Sequence, residues 1–163
     1  MAYLLDADVF IRAKNLHYGF DFCPAFWDWL IAANSVGTLF SIEKVGDELQ
    51  GIADELSEWA AGRGDQFFLR PNASVFPALS TVSTWATSQH YEPAAVATFL
   101  QVADYYLISH ALAGKHTVVT HEVPSASVRK IKIPDACIGL AIKCMTPFEM
   151  LRRERARFVL ASA

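Results

Sequence analysis

Tyr3-Leu4-Leu5-Asp6-Ala7-Asp8-Val9-Phe10-Ile11 opens the chain, and its reading decides the fold class. Tyr3 to Leu5 has the length and apolarity of a short buried strand. Charge arrives abruptly at Asp6. A helix is expected from Asp8 to Lys14, with Asp8 as its N-cap. A buried strand that runs straight into a helix is the start of an α/β pattern, and the rest of the chain repeats it.

Working outward, Asn15 to Cys23 is aromatic and irregular, with a turn signal at Gly19. Pro24 opens a helix through Ala33. Ser41 reads as the cap of a helix to about Gly51, and Asp54 to Ala61 as another, stopped by Gly62 and Gly64. Phe67 to Leu69 is a strand. Ser74 to Gln89 and Pro93 to Leu112 have helical period, the second broken around Ala103. Thr117 to Thr120 is a β-branched strand, Pro134 starts a helix, and Ile142 to Met145 is a strand. Thr146-Pro147-Phe148-Glu149 is a capping box opening the final helix. Strands alternating with helices predict a three-layer α/β/α domain around a mostly parallel sheet, with all 163 residues in one domain.

Composition narrows the function classes. Hydrophobic residues make up 53% and charged residues 19%, which is a globular balance with a core of full size. A net charge of −3 argues against a protein that coats nucleic acid. It is compatible with an enzyme whose acids are neutralised by a metal. Cys23, Cys137 and Cys144 show no paired framework and no CxxC spacing, so reduced thiols and a cytoplasmic location are expected. No segment approaches the ~18 apolar residues of a membrane span.

Four acids stand where apolar elements should not end in charge. Asp6 closes the first strand. Glu122 closes the strand Thr117–Thr120, with His121 between. Asp104 precedes Leu107, Ile108, Ala111 and Leu112 at helical spacing, so it lies on the apolar stripe. Glu48 lies on the shoulder of the stripe made by Ile42, Val45, Leu49 and Ile52, whereas Glu43 and Asp47 project to solvent. Each acid alone also reads as a loop acid or a helix-terminal charge. Together, carboxylates so placed are costly unless they share a cation, and oxygen ligands suit a hard divalent ion.

The order of these motifs resembles the PIN-domain ribonuclease family, which includes the VapC toxins of bacterial toxin–antitoxin pairs. Tyr3 to Ile11 looks like the first motif, a strand ending in an aspartate. Ser41 to Leu49, with Glu48-Leu49, looks like the second. Asp104 with Leu107-Ile108 looks like the third, and Val118-Val119-Thr120-His121-Glu122 like the fourth. The tail Ile133-Pro134-Asp135-Ala136-Cys137 through Leu151, with Cys23 to Leu30, looks like a PIN-like subfamily of undefined function. The resemblance implies a Mg²⁺- or Mn²⁺-dependent endoribonuclease. Asp6 and Asp104 would be the closest ligands, and Glu48 and Glu122 would orient water or a second ion. It also implies an RNA substrate, an antitoxin protein as partner and a possible homodimer. Asp8 departs from the small polar residue common in relatives. Glu122 replaces the usual aspartate and would carry the fourth carboxylate outward.

Substrate contacts are expected from Arg12, Lys14 and Asn15, which follow the first motif, and from the basic run Arg129-Lys130-Ile131-Lys132. Thr120 reads as a strand residue or as a donor to a carboxylate or phosphate. Tyr18, Phe20 and Phe22 read as base-stacking residues or as a satellite core. His110 falls off the apolar stripe and is expected in solvent. No second histidine stands at ligand spacing from His121, so zinc is not expected. Two other readings remain open: a catalytically weak PIN-like module that binds RNA or a partner, and, from Asp6-Ala7-Asp8, a haloacid-dehalogenase-like phosphatase.

Overall fold

The computed structural model describes residues 1–161. Five short strands form one sheet: β1 (Tyr3–Leu5), β2 (Leu39–Ile42), β3 (Phe68–Leu69), β4 (Thr117–Val119) and β5 (Cys144–Met145). Every pairing is parallel, in the order β3-β2-β1-β4-β5. Parallel neighbours need long crossovers, and helices supply them. These are α1 (Ala7–Arg12), α2 (Pro24–Ser35), α3 (Glu43–Leu49), α4 (Glu55–Ala61), α5 (Val75–Ser88), α6 (Pro93–Phe99), α7 (Ala103–Gly114) and α8 (Ile133–Gly139). The closing helix is α9 (Pro147–Arg153). The result is the expected three-layer α/β/α arrangement, and it is consistent with a PIN-like domain. No helix among the described residues is long and apolar enough to cross a membrane.

The strand order reverses beside β1, because β2 and β3 build out on one flank and β4 and β5 on the other. In open α/β sheets the ligand crevice lies at this switch point, outside the carboxyl ends of the strands. Leu5 is in register with Val119, and the Asp6 N–H continues the ladder onto the Val119 carbonyl at 3.0 Å. The next residues, Asp6 and Thr120, therefore emerge side by side at that crevice.

Aromatic packing fixes the other end of α1. Phe10 is fully buried among Trp59, Phe67 and Phe68, with ring centroids 5.9, 6.1 and 6.1 Å away. The aromatic stretch after α1 joins this core. Tyr18 stacks on Phe26 at 4.4 Å and Phe20 on Trp27 at 4.1 Å, leaving Phe22 exposed. The satellite-core reading therefore holds for two of the three rings. Asn15 to His17, expected to be irregular, belong instead to a π-helical turn, Ala13–His17, that continues α1.

Three local expectations are corrected. Asp8 does not cap α1. Asp6 holds that position without a side-chain cap bond, and Asp8 sits in the first turn, paired with Arg12 at 2.7 Å. Ser41 does not cap a helix. It lies within β2, and its hydroxyl donates to the Leu5 carbonyl at 2.7 Å. His110 is buried, because α7 packs against α3, α5, α8 and the sheet and has little solvated face. Burial, with the charge of His116 adding, pushes the His110 pKa down to about 4.

The Ser41 bond joins two central strands inside the core, so it has a measurable worth. Ser41→Ala leaves the Leu5 carbonyl without that donor. A loss of about 1–2 kcal/mol in urea unfolding is expected, with the m-value unchanged.

Candidate functional site

Asp6 is the most deeply placed of the four acids, at 7% exposure. Its Oδ2 accepts the Thr120 hydroxyl at 3.0 Å, and Thr120 is itself 1% exposed. The same hydroxyl oxygen accepts the Glu122 N–H at 3.1 Å. Thr120 thus fixes the Asp6 carboxylate and the turn that carries Glu122. The expectation of a donor to a carboxylate is what the structure contains. Glu122 is half-buried, and its Oε2 accepts the Ile133 N–H at 3.2 Å, at the first residue of α8.

Asp104 is half-buried in the first turn of α7, where the helix dipole favours a negative charge. Glu48 lies exposed on α3 and lines one cleft with Asp104. Asp6 and Glu122, beyond the ends of β1 and β4, stand near enough for their charges and that of Asp104 to act on one another.

Their pKa values register the crowding. Burial, then the charge of Asp104, pushes Asp6 up to about 8. The Thr120 hydrogen bond opposes this, and the charge of Glu122 adds to it. Asp104 is pushed up to about 6, first by burial, then by the charges of Glu122 and Glu48, with Lys130 and Lys132 pulling the other way. Burial also raises Glu48, with Asp8 adding. The acids feel one another, but they do not close on a common point. Among the described residues, no three acid, histidine or cysteine groups form a ready coordination set.

The expected substrate-binding cations are less available than their sequence position implies. Arg12 is bound by Asp8, and Lys14 by Asp54 at 3.0 Å, a partner 40 residues further along. Asn15 is exposed on the π-helical turn. That turn also brings His17 against His121, with ring centroids 5.6 Å apart and nearly parallel, and Phe148 at the edge of both. A second histidine therefore does stand beside His121, which the linear spacing hid.

Sequence reasoning overlooked Lys44. It lies one helical turn before Glu48 on α3, with its Nζ 4.9 Å above the Tyr106 ring. The i, i+4 spacing to Glu48 was the signal that could have found it.

One protein-family model matches the chain over residues 3–158, and it is described as a domain of unknown function (DUF4411). Neither a curated protein nor a solved structure matches the chain.

Proposed function

The chain belongs to the DUF4411 family, whose description assigns no chemistry, and we propose that it is a PIN-like, Mg²⁺- or Mn²⁺-dependent endoribonuclease of the VapC toxin kind. The observation that carries this reading is the mutually repelling pair of buried Asp6 and half-buried Asp104 near the switch point of the sheet, with the charges of Glu48 and Glu122 acting on Asp104. Carboxylates held this way lack a compensating charge, which a bound cation would supply.

The donor set suits a hard ion. It consists of carboxylate oxygens, and the acids are spread apart, as befits Mg²⁺, which keeps several waters and takes one or two carboxylates directly. Asp6 and Asp104 would hold the ion, and Glu48 and Glu122 would orient its waters. When bound, the ion would neutralise a phosphodiester and acidify the attacking water. The chain's own residues do the rest. Thr120 locks the Asp6 carboxylate in one rotamer. Glu122 is tethered to α8, so its longer side chain is held rather than free. An antitoxin partner and a homodimer belong to this reading as expectations.

The phosphatase alternative has less support. Its nucleophile would be Asp6, which burial holds protonated near neutrality, and its second aspartate, Asp8, is occupied by Arg12. A catalytically silent module is the other alternative, and the test separates it.

The test is incubation of mixed single-stranded RNA with the purified protein in Mn²⁺ or in EDTA. Cleavage in Mn²⁺ only is expected. Thr120→Val, nearly the same shape, should retain the fold and weaken both Mn²⁺ binding and cleavage about 10–100-fold, the usual cost of losing a group that orients a ligand. A folded wild type that binds Mn²⁺ but cuts no RNA would favour the silent module.

A further inference from the structure

A cleft of about 590 Å³ adjoins Glu48 and Asp104. Its walls are α3, the α6–α7 connection and the loop between β4 and α8. The acids stand at one end. Lys44 rises from one wall, and Arg129 and Lys130 from another. Phe99, Val102 and Ile131 supply an apolar lining, and Val102 is exposed there, at 39%.

The backbone that carries Arg129 and Lys130 is held in place. The β4–α8 loop runs from Thr120 to Lys132 without regular structure, a length that in compact domains is usually functional. It is pinned where it passes the cleft, because the Glu92 N–H donates to the Val128 carbonyl at 2.9 Å and Ile131 is buried. Arg129 leans on Glu92 at 3.8 Å. Among the described residues, neither Lys44 nor Lys130 has a carboxylate within ion-pair distance, in contrast to Arg12 and Lys14. Lys44, its ammonium over the Tyr106 ring, and Lys130 line one cleft with an apolar floor, a combination that matches a phosphate with a base beneath it. The volume lies within the ~300–1,000 Å³ range of small-ligand pockets, and a paired, stacked base of a duplex cannot enter such a space.

We infer that this cleft is the subsite for one nucleotide of a single strand, its phosphate between Lys44 and Lys130 and its base on the Phe99–Val102–Ile131 lining, beside the phosphate presented to the acids. The inference rests on the nuclease reading for the reaction that follows binding, and it adds the strand form and the residues that grip it.

The experiment is fluorescence anisotropy of labelled oligouridylate, oligodeoxyuridylate and a blunt RNA duplex, in EDTA so that nothing is cut. Wild type is compared with Lys44→Ala, Lys130→Ala and Lys143→Ala, the last outside the cleft. Each of the first two should weaken single-strand binding roughly 5–10-fold and flatten the slope of log affinity against log salt by about 0.7, the value for one lost phosphate contact. Lys143→Ala should bind like wild type, and the duplex more weakly than either single strand. Binding of either strand that depends on both lysines supports the subsite, and the tighter arm identifies its sugar. Single-strand binding indifferent to both lysines, or absent in wild type at low salt, overturns it. Cleavage in Mn²⁺ is measured in parallel. Cleavage with an unchanged KM in both lysine variants sinks the subsite and leaves the nuclease standing. Lysine-dependent binding without cleavage does the reverse.

Discussion

Asp6→Asn is expected to raise the melting temperature of the metal-free protein at pH 8 and to leave it nearly unchanged at pH 4. In the folded protein the Asp6 carboxyl titrates at about 8, and in the unfolded chain in the ordinary range near 4. Between those values the unfolded chain has released the proton and the folded one has kept it. Stability from this group is therefore full below about pH 4 and is lost as pH rises through about 8. The loss is on the order of a few kcal/mol, a sizeable share of the ~5–15 kcal/mol that holds a domain together. Asparagine keeps the shape and an oxygen for the Thr120 hydroxyl, and it carries no charge at any of these pH values. A gain of about 5 °C or more at pH 8 should follow. Added Mn²⁺ should stabilise wild type at that pH and leave the variant where it was. Scanning fluorimetry across pH, with EDTA or Mn²⁺, reads both arms. Coincident melting of the two proteins at pH 8 would mean that the buried charge is relieved in some other way.

Asp104→Asn is expected to lower kcat/KM for RNA by at least about 100-fold while the protein stays folded. A structural role at the start of α7 would not do this, because asparagine is also tolerated in a first helical turn. The coupling between the two aspartates supplies a second readout. Without the charge at position 104, the Asp6 pKa should fall, so the pH-dependent loss of stability should be smaller and complete at lower pH than in wild type. The double variant Asp6→Asn with Asp104→Asn should gain less stability than the sum of the single changes, as expected for groups that repel each other. Strict additivity in melting experiments would show that the two carboxyls do not share a site.

The parts of the fold legible in the sequence were those in which one signal acted alone. β1 and β4 are short apolar runs closed by an acid or a threonine, and Thr146 caps the last helix as expected, its hydroxyl accepting the Glu149 N–H at 3.2 Å. β2 was obscured because Ser41 is a good cap residue and Ile42 fits the helical period of Val45 and Leu49, so one stripe ran through two elements. His110 was misplaced because a helical stripe presumes a solvated opposite face, and α7 is enclosed. The four acids could be selected from local placement alone. The cations around them could not, because Lys14 meets Asp54, and Lys44 comes to line one cleft with Lys130, only through the tertiary fold.

The tether between Glu122 and Ile133 has a consequence for how such a protein can change. Asp135 adds a second staple by accepting the Ser125 N–H at 3.0 Å. The two ends of the intervening segment are thus clamped together beside the acids, like the neck of a purse. Chain closed by such a neck can lengthen at a cost that grows only with the logarithm of its length. Residues inserted beyond the neck would reshape the wall that carries Arg129 and Lys130 without displacing Asp6 or Asp104. The wall of the cleft and the acids are thereby mechanically decoupled, and this one segment can be exchanged without moving the carboxylates.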